Sequence, residues 1–114
     1  MNADRISAAK RLAELTGAVT LLKGARSVIA APSGEIYINS TGNPGMGTPG
    51  MGDALSGMTG AFLAQGMDAL KALALGVFLH GYAADRVATR YGRVGYIVGD
   101  LLDELPRAID SLMF

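Results

Sequence analysis

Apolar residues recur at Ile6, Ala9, Leu12, Ala13 and Leu15, with Arg5, Lys10, Arg11 and Glu14 between them. That spacing predicts a helix over Asp4–Thr16 with one wet face, started by Asp4 or Asn2 and closed by Gly17. The pattern then shortens. Ala18–Leu22 is a brief apolar run between Gly17 and Lys23-Gly24, which predicts a buried, central strand parallel to an unseen neighbour. Ser27–Ala31 predicts a second strand and Pro32-Ser33-Gly34 a turn. Glu35–Asn39, with Ile36 and Ile38 on one side, predicts a third strand paired with the second as a hairpin.

Helical spacing returns after a Gly/Pro-rich run. A helix is expected from about Asp53 to Gln65, with Gly57, Gly60, Ala61 and Ala64 giving it a small-residue side open to close backbone approach. Gly66 ends it, and Asp68 caps a second helix that runs to about Arg90. This helix is apolar on most sides, so it is expected to be largely buried. Its end turns polar at Asp85, Arg86, Thr89 and Arg90 and is expected to emerge into water. Gly92 and Gly95 interrupt the chain. Asp100 caps a short helix to Leu105, and Pro106 starts a last turn. The result is an α/β order with few strands followed by a helical half. The helices are too apolar for so small a sheet to cover, which predicts either one part of a larger α/β fold or an oligomer.

Composition narrows the classes. The 114 residues suffice for one domain with a modest core. Ten acidic residues balance ten basic ones, which gives no electrostatic case for nucleic acid or an anionic membrane as partner. Cysteine is absent and histidine occurs once, so thiolate and histidine metal sites find no support. The start of the chain is polar and unlike a secretory signal. The longest apolar stretch, Ala69–Leu79, contains Lys71 and falls short of the ~20 residues of a membrane span. A cytoplasmic protein is expected.

Seven of the 16 glycines lie between Gly42 and Gly60. The stretch Gly42-Asn43-Pro44-Gly45-Met46-Gly47-Thr48-Pro49-Gly50-Met51-Gly52-Asp53 is expected to be neither strand nor helix. A Gly-rich loop feeding a helix N-terminus gathers free backbone N–H groups and the positive end of a helix dipole, which suits an anion such as phosphate. Asp53 there is either the helix cap or a base aimed at something bound in the loop. Asn43 reads as a brace for the loop, Met46, Met51 and Met58 as filling, and His80 as a hydrogen-bonded packing residue.

Asn39–Met46 and Gly50–Gly57 together resemble the signature of the ADP-dependent NAD(P)HX dehydratases, a branch of the ribokinase-like superfamily. The resemblance continues in Phe62–Gly66, in Ala74–Gly81 and, upstream, in Val19–Ile29 with its Lys23-Gly24-Ala25 segment. It implies the C-terminal part of a ribokinase-like three-layer α/β/α fold, with residues 1–114 as one partial domain. It implies a metabolite-repair reaction: a nucleotide phosphoryl group, from ADP or ATP with magnesium, turns the ring hydroxyl of hydrated NAD(P)H into a leaving group, and dehydration restores the cofactor. Carried over, Gly50, Met51 and Gly52 form the anion hole and Asp53 is the base that meets the substrate. Lys23, Gly24, Ala25, Arg26, Ser27 and Gly52 contact the nucleotide. A small-molecule kinase of the same superfamily and an inactive nucleotide-binding or assembly fragment are the alternatives. Two departures stand out. Pro49 removes a backbone N–H from the loop and Met51 adds bulk, which predicts a distorted anion hole. The family's N-terminal half is missing, so the expected partners are the nucleotide, NAD(P)HX, and either further copies of the chain or a complementary N-terminal half.

Overall fold

The computed structural model describes residues 2–23, 26–47 and 49–113. Helix α1 (Asn2–Thr16) leads into strands β1 (Thr20–Leu22), β2 (Val28–Ala30) and β3 (Ile36–Ile38), and helices α2 (Met51–Ala64), α3 (Ala69–Tyr91) and α4 (Val98–Met113) follow. Within the Gly/Pro stretch, Pro44–Gly47 forms one 3-10 turn, so the expectation of a wholly irregular run is corrected. Met46 N–H donates to the Asn43 carbonyl there (3.1 Å), a short-range bond suited to a piece too brief for an α-helix.

The strands form an antiparallel meander in chain order, with Leu21 opposite Ile29 and Ile29 opposite Tyr37. The hairpin of β2 and β3 stands as expected, closed by a turn in which Gly34 N–H donates to the Ala31 carbonyl (3.0 Å). Ala18–Leu22, expected to lie parallel to an unseen neighbour, forms β1, whose partner among the described residues is β2, antiparallel to it. A connection as short as that between Leu22 and Val28 returns the chain antiparallel. Among the described residues β1, half-buried, pairs on one side, and β2, buried along its whole length, pairs on both.

Alternation along β2 serves two cores. Val28 and Ala30 pack against Ala9 and Ala13 of α1. Ile29, with Ala31 beyond the strand, faces Leu55 of α2 and Leu70 and Val77 of α3. The sheet is thus sandwiched between helices, the three-layer arrangement expected. Burying Ile29 (1% exposed) contributes about 1.5–3 kcal/mol. A third core joins α3 to α4 through Ala83, Ala84, Val87, Leu101 and Ala108, and takes in Met51 and Tyr96.

The small-residue side of α2 is not where backbones meet. A Cβ at Gly57 or Gly60 would touch nothing within 4 Å. The close approach is made from the other side, at Gly76 of α3, where a Cβ would fall 2.7 Å from Thr59 Oγ1 of α2. Helix α4 also differs from expectation, because it continues through Pro106 to Met113. Proline there costs the bond to the Leu102 carbonyl, and Leu102 is 47% exposed, so water can serve that oxygen. Asp100 acts from the first turn, its Oδ2 accepting from Ile97 N–H (2.9 Å), as one half of a capping box does.

The polar end of α3 is not simply wet. Arg86 Nε donates to Glu104 Oε2 at 2.7 Å, and Arg90 and Arg107 lie 3.4 Å from Oε1. Glu104 is 2% exposed. The Arg86 hydrogen bond outweighs burial and, with the charges of Arg90, Arg86 and Arg107, holds the carboxyl below its ordinary range. A carboxylate depressed in the folded state stabilises the fold above its unfolded pKa, and that stability is lost as pH falls through the folded value. The chain is expected to lose stability as pH drops below about 4.3, and Glu104→Gln to be less stable at pH 7 with a flatter acid limb. Urea unfolding midpoints between pH 7 and 3 decide this, and parallel pH profiles for the two proteins would refute it.

Candidate functional site

The chain leaving β3 must cross α3 to reach the start of α2. It crosses at Gly81, where a Cβ would come within 2.7 Å of the Thr41 carbonyl carbon. No other side chain fits there without moving the main chain of the loop. Thr41 Oγ1 lies 3.0 Å from the Phe78 carbonyl and 3.1 Å from Asn39 Oδ1, and its one proton can serve either.

Asn43 holds the next residues in place. Its Nδ2 donates to Asp85 Oδ1 (2.9 Å), and its Oδ1 accepts from Gly45 N–H (3.1 Å) and from Tyr96 Oη–H (2.5 Å). The other oxygen of Asp85 accepts from Gly42 N–H at 2.9 Å. The loop is pinned from α3 by Asp85 and from the α3–α4 connection by Tyr96, which is 1% exposed. Asn43 is thus the brace the sequence indicated. Asp85, expected on a wet helix end, is a half-buried anchor instead, and neither it nor Tyr96 stood out as part of the site. A signal did exist for Asp85. It lies four residues after Gly81, on the helix face that the loop crosses.

Helix α2 starts at Met51 behind Gly50, which adopts φ +90°, and no side chain caps that end. The left-handed conformation is one that glycine reaches without strain. Asp53 is therefore not the cap, since it sits in the first turn with an exposed side chain. The first-turn N–H groups of a helix lack carbonyl partners within it. Lys23, in the connection between β1 and β2, reaches this helix end, its Nζ lying 3.3 Å from where a Cβ on Gly52 would be. Arg5 of α1 secures that turn from behind, donating to the carbonyls of Arg26 (2.8 Å) and Leu22 (3.2 Å).

A cavity of about 640 Å³ opens between these elements. Lys23 and Ser27 line it from the hairpin, Thr41 and Asn43 from the loop, and Gly52 from α2, with Leu55, Val77 and His80 among the residues of its wall. Of the residues predicted for the site, Lys23, Ser27, Met51 and Gly52 come together here. Gly50, Arg26 and Asp53 do not line the cavity, and Gly24 and Ala25 lie outside the described residues. Met51, expected to crowd the anion hole, is 4% exposed and packs with Ala83 and Val87, so its bulk is turned into the core. Met46 lines the cavity with it, and Met58 does not.

His80 is buried in the cavity wall, yet its Nε2 has no hydrogen-bond partner. It packs in the wall as expected, with Nε2 the nitrogen left unpartnered. Burial lowers its pKa most strongly, the Met51 carbonyl opposes this, and the charge of Lys23 lowers it further. Together these favour the neutral form of the imidazole.

Among the described residues, no three His, Cys, Asp or Glu side chains gather where they could hold a metal ion. Asp85 spends both carboxylate oxygens on Gly42 and Asn43. This donor set does not fit a resident magnesium ion.

A family model for NAD(P)H-hydrate dehydratase matches residues 1–107. The chain is 49% identical over 109 residues to the bifunctional NAD(P)H-hydrate repair enzyme Nnr of Moorella thermoacetica, covering 96% of this chain and 21% of that protein. It is 39% identical over 102 residues to the ADP-dependent (S)-NAD(P)H-hydrate dehydratase of Neisseria meningitidis, covering 89% of this chain and 34% of the relative. The chain thus spans about a fifth to a third of the length of these curated relatives. The ADP/ATP-dependent NAD(P)H-hydrate dehydratase of Bacillus subtilis, co-crystallised with ATP and Mg2+, superposes with a TM-score of 0.90 at 33% identity, over 96% of this chain and 40% of that one. A ribokinase-like superfamily protein of Enterococcus faecalis matches at TM-score 0.73 and 30% identity, over 89% and 35% of the two chains.

Asp85→Ala would leave the Gly42 N–H and the Asn43 amide without acceptors, at a cost of about 1–3 kcal/mol. Protection of the Gly42, Gly45 and Met46 amides from hydrogen exchange is expected to fall more than protection of β2. Unchanged protection at those three amides would show that Asp85 does not hold the loop.

Proposed function

Because the chain belongs to the NAD(P)H-hydrate dehydratase family, and has the ribokinase-like fold of its structural relatives, we propose that its residues form the nucleotide and phosphoryl side of an ADP- or ATP-dependent NAD(P)H-hydrate dehydratase. The observation that carries this reading is the placement of Lys23 over the uncapped start of α2. An ammonium group and the positive end of a helix, facing one cavity, favour the negative charge of a di- or triphosphate. Lys23, Ser27 and Gly52 are the contacts, joined by Gly24, Ala25 and Arg26 of the same turn on the strength of the family resemblance. Magnesium would arrive on the nucleotide's phosphates, with water completing its shell.

The chemistry asked of these residues is positioning and charge stabilisation. Backbone N–H groups at Gly50, Met51 and Gly52 meet the oxygens of the transferring phosphoryl group. Asp53, in the first turn and open to solvent, takes the proton from the ring hydroxyl of NAD(P)H hydrate as its oxygen bonds to phosphorus and the nucleotide's bridging P–O bond breaks. Phosphate then leaves the ring carbon with the C–O bonding pair, the neighbouring ring carbon gives up a proton to water, and the nicotinamide double bond returns. Asp53 lies outside the cavity, so the two reactants approach from opposite sides of the α2 start. The acceptor side is completed by the part of the relatives' length that this chain does not span. No observation favours the small-molecule kinase alternative.

Two substitutions separate the roles. Lys23→Ala is expected to weaken ADP binding to the 114-residue chain by roughly 10- to 100-fold, the worth of a hydrogen bond to a charged group. Titration calorimetry measures it, and an unaltered affinity would remove Lys23 from the site. Asp53→Asn, in an assembly with the N-terminal half of a related dehydratase, is expected to lower NADH recovery from its hydrate by about 10²–10⁴-fold with ADP affinity nearly unchanged. Turnover that survives the change would refute Asp53 as the base.

A further inference from the structure

The cavity has more in it than a phosphate needs. Lys23 and the α2 start occupy one side, while the wall behind them is apolar at Leu55 and Val77 and contains His80. His80 is only 6% exposed and its Nε2 bonds to nothing. A buried polar atom without a partner is costly, and such atoms in native proteins call for an explanation. A bound group that completes the bond is one. Resting on the nucleotide reading above, we infer that His80 binds the nucleoside part of the nucleotide, forming a hydrogen bond with an uncharged amino or hydroxyl group of the base or ribose.

Three observations favour the nucleoside over the phosphates. The phosphate position already has its cation in Lys23, 3.3 Å from the Cβ position of Gly52. His80 lies on α3 one turn from buried Val77, in the apolar part of the wall, where a flat ring gains from burial and a phosphate would lose its water. The imidazole is surrounded by groups that keep it neutral. A neutral ring that turns one N–H toward the Met51 carbonyl offers a lone pair on its other nitrogen. A lone pair seeks a donor such as an amino or hydroxyl group, whereas phosphate oxygens bring only further lone pairs at neutral pH. His80 is thus a specificity residue, reading the nucleoside by one directed bond beside the apolar wall of Leu55 and Val77.

The chain has a single histidine, so imidazole nitrogen resonances report on His80 alone. The 15N-labelled 114-residue chain is titrated with ADP and, separately, with pyrophosphate. The His80 signals and the backbone amides of Met51, Gly52 and Asp53 are followed together. Both ligands are expected to shift the α2 amides, and only ADP to shift the imidazole. His80→Phe should weaken ADP binding about tenfold, the worth of one hydrogen bond, and leave pyrophosphate binding unchanged. His80→Asn, which keeps an amide near the ring position, should recover part of the loss. The inference is overturned if ADP saturates the α2 amides while the imidazole stays at its free position, or if pyrophosphate moves the imidazole as far as ADP does. If ADP shifts nothing, the nucleotide reading fails, and this inference fails with it.

Discussion

The site depends on how Asn43 is held. A loop rich in glycine and proline has no ladder of its own, and its polar backbone groups must find partners elsewhere or stay in water. Asn43 supplies a rigid node for it. Its amide reaches Asp85, its carbonyl oxygen takes bonds from Gly45 and Tyr96, and Asp85 takes the Gly42 N–H as well. Three of these hydrogen bonds tie the loop to α3 and to the α3–α4 connection, and the fourth, from Gly45, closes within it. The geometry works only because Gly81 lets the chain pass over α3 at backbone distance. Where this loop ends, α2 begins, so the brace fixes the direction in which the free end of α2 points.

What converges at that end is a division of labour. The hairpin brings one cation, the helix brings backbone donors, and the buried wall brings apolar surface with a single neutral ring. Each comes from a different element, and each element is anchored separately. Arg5 ties the hairpin turn to α1, the Met51 side chain sinks into the α3–α4 core, and α3 is buried through most of its length. Functional groups on such supports stay in position without a ligand to organise them.

Much of this was legible in the chain. The periods that predict α1 and α3 depend on residues that do face cores, Ala9 and Ala13 in one and Leu70 and Val77 in the other. Gly-x-Gly-Asp does open a helix, and Asn43 does hold its loop. What stayed hidden involves choices made over distance. The neighbour of β1 is set by the shortness of a turn and not by the apolar character of Thr20–Leu22. Asp85 and Arg86 look like solvent-facing residues until α4 and the loop are brought against them. The glycines of α2 read as a contact face, yet contact between α2 and α3 is made through Gly76 and Thr59. Composition describes what a face would permit, and the packing partner decides which face is used.

The antiparallel meander has a consequence for the order in which the molecule assembles. Its strands are joined by short turns, and α1 packs on the strands that follow it directly, so these pieces meet at little cost in chain entropy. The bonds that build the site span far more chain: 37 residues from Thr41 to Phe78, 43 from Gly42 to Asp85 and 53 from Asn43 to Tyr96. Contacts of such separation close larger loops and so form late. The same links are the ones whose release leaves the sheet and α1 intact, so the site opens by a smaller excursion than global unfolding. Site geometry and folding therefore meet in one segment: the last part of the chain to settle is the part that positions the helix end facing the cavity.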